Sequence, residues 1–261
     1  MPIFILMITE LRLLRFTVRQ IEATSSDDSI QKSQSTLAIL ARLVRAEWGR
    51  KPIRKLVRVI SLNADDLLEQ AVAVLSPNPK DEKPPPLKVI SRASHHPGHG
   101  TLNPSIPIYH VHGYLPQILK KTQWHEDSPD SLVFTDSQYW ATTSSPTSFA
   151  NRVMLNALHD SHCLFIGLSM TDSNILRWLS IRAEEVRQDK MEQFKKRDDK
   201  ATQKTIKQAL KRHYWICQNS DDSSNILTSV LAARGVHKIA INSWEGGHGS
   251  FSSLVSHIFG G

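Results

Sequence analysis

Asn63 stands where a β-branched run stops and a polar run begins, a position suited to chemistry. The stretch Val57-Arg58-Val59-Ile60-Ser61-Leu62-Asn63-Ala64-Asp65-Asp66-Leu67-Leu68-Glu69 reads as strand, tight turn and helix, which puts Asn63 on a strand's C-terminal rim. In an open α/β sheet, ligands collect at that rim, because its loops vary freely and the next helix aims amide N–H groups into the crevice. An Asn side chain held there donates and accepts at once. The plain alternative is a turn, since Asn and Asp bond their own backbone and an Asp ahead of Leu67-Leu68 is an ordinary helix cap.

Histidine supplies the second group of candidates. Ile106 to Tyr114 alternates apolar and polar residues and reaches Gly113, the pattern of another strand running to its rim, with His110 and His112 on one face by the two-residue period. A His-x-His pair can chelate a metal, but no third ligand is obvious, and a polar strand face meeting solvent explains the pattern as well. His95, His96 and His99 lie in a loop beside Pro97, Gly98 and Gly100 without a carboxylate or thiolate at useful spacing, so solvated histidines are expected there and no metal site. A third rim follows His162-Cys163-Leu164-Phe165-Ile166, a continuous apolar run of the kind covered on both faces of a sheet. It ends in Gly167 and Ser169, and Thr171 or Asp172 then caps a helix bearing Ile175, Leu176, Trp178 and Leu179.

The remaining elements must bring these rims together. Pro2 to Ile8 could be a buried strand, residues 23–36 form a polar linker, and Leu37, Leu40, Val44 and Trp48 recur at helical spacing up to Gly49. Ser76 to Pro86 holds five prolines and reads as an irregular excursion. Leu132 to Thr135 looks like a short strand, with Asp136 capping a helix that carries Tyr139 and Trp140. Helical spacing returns at Ser148 to His159, charged helices fill Ile181 to Arg212, and strands at His213–Cys217 and Val236–Ile241 flank a helix at Asn225–Ala233. A glycine-rich turn at Trp244–Gly249 precedes a closing helix from Phe251 to Phe259. Alternation of strand and helix predicts a Rossmann-like α/β fold with a parallel sheet flanked by helices. The expected division is an N-terminal strand and linker at 1–36 and one α/β domain at 37–261, interrupted by the proline-rich excursion at 76–105 and the charged segment at 181–212.

Composition narrows the classes. With 261 residues, 40% hydrophobic, the chain can bury a real core. A net charge of +7 permits anionic partners, but the basic residues are spread among acids except near Lys195-Lys196-Arg197, so nucleic-acid binding through residues 195–212 rests on charge alone. Cys163 and Cys217 lie in apolar runs, and two thiols cannot build a four-thiolate zinc site. The opening apolar run is far shorter than the roughly 20 residues that span a bilayer and has no basic segment before it, so a cytoplasmic protein without membrane contact is expected.

Three of these segments, taken in order, resemble one family. Ser61 to Glu69 resembles the Thr-Thr-Asn-aromatic-Asp-Asp-Leu-Leu-Glu stretch of sirtuin-like domains, and Tyr109-His110-Val111-His112-Gly113 resembles that family's strand ending in His-Gly. Leu164-Phe165-Ile166-Gly167-Leu168-Ser169-Met170-Thr171-Asp172-Ser173-Asn174-Ile175 is similar to its Leu-Phe-Ile-Gly-x-Ser-x-x-Asp-x-Asn-Ile block, and Leu132 to Tyr139 matches the intervening strand and helix. The likeness runs from about Leu37 to the C-terminus. It is greatest to the zinc-free prokaryotic branch whose members hydrolyse NAD, often in anti-phage defence; sirtuin deacetylases carry a four-cysteine zinc module.

The resemblance implies NAD as substrate, no zinc, and a homo-oligomer or a defence-system protein as partner. It implies that Asn63 holds the ribose hydroxyls and positions a water, that His112 is the general base, and that Asp65 meets the nicotinamide carboxamide. Gly113, Gly167, Ser169 and Asp172 would lie along the nucleotide. Two departures stand out. The family opens with a strand and a Gly-Ala-Gly-x-Ser phosphate loop, and nothing between Met1 and Arg50 supplies it; Leu62 and Ala64 replace the usual polar and aromatic neighbours of Asn63. Either the chain is an N-terminally truncated copy or Pro2 to Ile8 replaces the first strand without a phosphate cradle. The expected activity is NAD glycohydrolysis; the alternative is a degenerate, non-catalytic nucleotide-binding module of the same fold.

Overall fold

A computed structural model describes residues 4–8, 33–50, 54–75, 86–92, 105–115, 132–133, 137–138, 144–194, 199–210, 212–219 and 225–260. The strands are β1 (Phe4–Ile8), β2 (Leu56–Ser61), β3 (Leu87–Ile90), β4 (Ile106–His110), β5 (His162–Ile166), β6 (His213–Gln218) and β7 (Val236–Ile241). The described helices are α1 (Thr36–Gly49), α2 (Leu67–Val74), α3 (Phe149–Asp160), α4 (Ser173–Gln193), α5 (Lys200–Leu210), α6 (Asn225–Ala233) and α7 (Phe251–Phe259). The seven strands of the described residues pair in parallel in the order β3-β4-β2-β1-β5-β6-β7. This is the Rossmann-like α/β arrangement that the alternating elements predict.

The period-two alternation of β1 shows why the sheet is covered on both faces. Phe4, Leu6 and Ile8 enter one core with α1, α2 and α7, whereas Ile5 and Met7 enter the other with α3, α4 and residues of α6. Burying each such side chain is worth about 1.5–3 kcal/mol, so a fully buried five-residue strand holds the centre of the sheet firmly. Ser35, Ser148 and Ser250 cap α1, α3 and α7, each accepting a backbone N–H from the first turn. Cys163 and Cys217 are buried on the neighbouring strands β5 and β6.

Some expectations change. Leu87–Ile90 falls inside the stretch assigned to a proline-rich excursion, yet it forms an edge strand on β4. Its four residues are too few to show a period, and exposed Lys88 blunts the edge. Phe4–Ile8 pairs with both β2 and β5 and is therefore the central strand of the same sheet. Leu132 and Val133 lie in no strand, although the Val133 N–H donates to the His112 carbonyl at 3.0 Å. His95, His96, His99, Thr135, Asp136, Tyr139, Trp140 and Lys195-Lys196-Arg197 lie outside the described residues.

The order in which strands are added reverses beside β1. From β1 the strands extend through β2 to β4 and β3 on one side, and the chain then crosses to β5, β6 and β7 on the other. Such a switch point opens a crevice at the carboxyl ends of the strands. Register places four strand ends in one row: Ile166 pairs with Ile8, Ile8 with Ser61, and Ser61 with His110.

Candidate functional site

Just beyond that row, the backbone of Asn63 is held at both polar groups. Its N–H donates to Ser61 Oγ at 3.2 Å, and its carbonyl accepts from Ser61 Oγ at 3.0 Å and from His110 Nδ1 at 3.0 Å. Ser61 thereby makes a tight hydroxyl turn at the end of β2. The following turn is tied to β4 as well, because the Leu115 N–H donates to the Ala64 carbonyl at 2.7 Å and Asp65 bridges to Leu115.

The carboxylates of the turn divide their tasks. Asp66 occupies the N-cap position of α2 but accepts from the Gln70 side chain at 2.7 Å, while Asp65 Oδ1 accepts the Leu67 N–H at 3.3 Å. Burial raises the Asp65 carboxyl above its usual range; the Leu67 N–H opposes this, the Glu69 charge adds to it, and His110 opposes it. Asp65 is thus both a turn anchor and a half-buried acid beside the rim.

His110 and His112 do not play equal parts. β4 ends at His110, which is fully buried, and His112 lies in the turn beyond it. His112 Nδ1 sits 2.9 Å from the Leu62 carbonyl oxygen. A carbonyl only accepts, so Nδ1 carries a proton, and in the neutral imidazole Nε2 then keeps the lone pair. Burial lowers its pKa below the ordinary histidine value, against smaller upward pulls from the Leu62 carbonyl and the Asp172 charge. His110 packs its ring 4.7 Å from that of Tyr114 and meets Glu69 Oε1 with Nε2 at 2.6 Å. Glu69 is the residue that sequence reasoning quoted without giving it a role. Its place in the first turn of α2, just after the β2 rim in sequence, is the available signal.

The β5 rim completes the arrangement. Gly167 has φ 72° and Gly113 has φ 90°, left-handed conformations that favour glycine. Met170, also in the left-handed region at φ 58°, is fully buried, and the Leu168 carbonyl accepts the Trp215 indole N–H at 2.8 Å, so this loop is fixed from within. Ser169 is exposed and bonds Thr171 through their hydroxyls at 2.8 Å. Asp172 is the N-cap of α4, its Oδ1 accepting the Asn174 and Ile175 N–H groups at 2.8 and 3.2 Å. The charge of Asp172 acts on His112 across two intervening strands, so the β4 and β5 rims share one locality.

A cavity of about 210 Å³ lies elsewhere, between α1 and α7. Glu47 lines it, and its carboxylate receives the Lys55 and Leu56 N–H groups at the start of β2, the end opposite Asn63. We place the candidate site at the carboxyl rim because the titratable and turn residues gather there. Among the described residues no cluster of His, Cys, Asp and Glu could hold a metal ion, and no helix is long and apolar enough to cross a membrane.

A doubly wound parallel sheet with Asn63, His110, His112 and the carboxylates of Asp65, Asp66, Glu69 and Asp172 gathered at its carboxyl rim defines a Rossmann-like α/β protein. The family model of the SIR2-like domain matches residues 57–239, from within β2 to within β7. The chain belongs to the SIR2-like domain family, whose members bind NAD. A comparison with curated proteins gives no match.

Proposed function

We propose that this domain hydrolyses NAD to nicotinamide and ADP-ribose and serves as an effector in anti-phage defence. The observation that carries this is the convergence of Asn63, His112 and Asp172 from three strand ends, with the His112 tautomer set by the Leu62 carbonyl and its neutral form favoured by burial. Cleavage breaks the bond between ribose C1′ and the nicotinamide nitrogen through an oxocarbenium-like state. Water then adds to C1′ and gives its proton to His112 Nε2. Asn63 would hold the ribose hydroxyls and the water, Asp65 the carboxamide, and Gly113, Gly167 and Ser169 the nucleotide.

Fit to a dinucleotide rests on the two left-handed glycines and the exposed Ser169 hydroxyl. Asp172 supports the site in another way: it occupies two α4 amides itself, so its part is to shape the loop and bias His112. A zinc-free NAD hydrolase also suits a chain whose two cysteines are both buried.

One observation favours the second reading, a nucleotide-binding module without turnover. β1 is the central strand, yet the sequence has no glycine before Gly49, so the segment following β1 contains no glycine-rich phosphate loop. Incubation with NAD separates the two. Nicotinamide release that disappears in Asn63→Ala and His112→Ala supports hydrolysis, and release unchanged in both variants overturns it. A thermal shift with NAD or ADP-ribose but no nicotinamide favours the binding module.

A further inference from the structure

His110 is fully buried between two acceptors. Nδ1 faces the Asn63 carbonyl oxygen at 3.0 Å, and Nε2 faces Glu69 Oε1 at 2.6 Å. Neither a carbonyl nor a carboxylate can donate, so both contacts are hydrogen bonds only when both ring nitrogens carry protons. Glu69 Oε2 is buried with no hydrogen-bond partner among the described residues, which leaves His110 as the group that balances this carboxylate. The Tyr114 ring closes one side of the imidazole.

We propose that Glu69 and His110 form a positioning dyad that locks Asn63 at the tip of β2, and that the lock holds only while His110 is an imidazolium. This rests on the hydrolase function given above and deepens it. The relay runs from α2 through the buried ring to the Asn63 backbone, so the side chain that meets the ribose is aimed by a charge pair set back from the substrate. The charged groups acting on the ring are Glu69 on α2 and Asp65 in the turn before it. Burial draws the His110 pKa down, but the Glu69 hydrogen bond and charge, the Asn63 carbonyl and Asp65 outweigh it, and the net displacement is upward. On loss of one proton as pH rises through that value, the charged Glu69 keeps the Nε2–H, the Nδ1 lone pair then faces that of the Asn63 carbonyl, and Ser61 Oγ is left as the remaining hold on that carbonyl. His112 is held neutral while His110 is held charged, so activity requires opposite protonation states two residues apart.

Two measurements test this. Nitrogen-15 NMR of the wild-type imidazoles across pH is expected to show His110 protonated at both nitrogens at neutral pH, with the Asn63 side-chain amide signals shifting as it titrates. A neutral His110 ring at that pH, or an Asn63 amide indifferent to the titration, overturns the inference whether or not the protein turns over NAD. In the activity arm, Glu69→Gln keeps the volume and removes the charge. We expect kcat to fall roughly tenfold to a hundredfold with little change in KM, the scale on which small misplacements act, and the alkaline limb of the pH profile to move to lower pH. Glu69→Asp should recover part of the loss. Nicotinamide release by wild type and Glu69→Gln with equal kcat and identical pH profiles overturns the dyad and leaves the hydrolase standing. No release by wild type removes the hydrolase, and the NMR arm then decides the dyad alone.

Discussion

His112 Nδ1 lies 2.9 Å from the carbonyl oxygen of Leu62, the residue immediately before Asn63. One backbone turn therefore fixes the tautomer of the candidate base and carries the candidate amide. A single peptide bond joins the residue that orients the imidazole to the one proposed to meet the ribose.

The proposed hydrolysis uses the two side chains together. Replacing His112 by Ala is expected to reduce nicotinamide release by about 100- to 10,000-fold, the usual range for a positioned acid or base. Asn63→Ala should cost a similar factor, and the double variant little more than either single one, as groups acting as a unit are not additive. Steady-state kinetics on the three variants checks this; multiplicative losses would show independent roles.

The acid side of the activity profile follows from His112. Burial lowers its pKa below the ordinary value, so the neutral base persists as pH falls and the acid limb of kcat/KM should lie below about pH 6.5, the free imidazole value. Asp172 opposes that displacement. An Asp172→Asn variant, which keeps a capping oxygen, should move the limb further toward acid. Initial rates from neutral pH downward measure both positions.

Stability should be acid-sensitive through His213, which is fully buried and accepts the Cys163 N–H at Nδ1. Burial, then Arg182, His162, Arg212 and His159, hold its pKa well below the ordinary value. The unfolded state thus binds a proton at higher pH than the folded one. Its stabilising contribution is complete above the unfolded value and is lost as pH falls through that value toward the folded one. His213→Asn should flatten the decline in unfolding free energy between about pH 7 and pH 5, as read from urea titrations at each pH.

Glu47 carries a structural prediction. Its buried carboxylate accepts the Lys55 N–H at 2.6 Å, the Leu56 N–H at 3.0 Å and the Arg50 guanidinium at 2.8 Å, tying the end of α1 to the start of β2. Glu47→Ala strands these donors and is expected to destabilise by about 3 kcal/mol. Equilibrium urea unfolding is the measurement. A change under 1 kcal/mol, roughly the worth of one ordinary hydrogen bond, would show that water takes over the clamp.

Gly167 separates backbone strain from nucleotide contact. At φ 72° an added Cβ is strained, so Gly167→Ala should cost about 1–2 kcal/mol. The melting temperature should fall by roughly 2–4 °C per kcal/mol in a chain of this size. If the glycine also lies along the nucleotide, the variant loses the thermal shift produced by ADP-ribose. A preserved shift would confine Gly167 to the turn.

Much of this molecule is written locally. The period-two run of β2, the apolar run of β5, the helical spacing of Leu37 to Trp48 and the turn residues at 244–249 mark elements by side-chain periodicity and backbone preference, which act over a few residues. The Asn63, His112 and Gly167 rims were legible for the same reason, as abrupt ends of apolar runs. What only the tertiary structure decided involves partners far apart in sequence: β1 as the strand between β2 and β5, the short edge strand β3, and Glu69 against His110, 41 positions away. Strand register and helix packing bring such pairs together, and neither leaves a period in the sequence. The unlike surroundings of the His110 and His112 rings are of this kind, because folding sets the Glu69 carboxylate and the Asn63 carbonyl against one, and burial with a single carbonyl against the other.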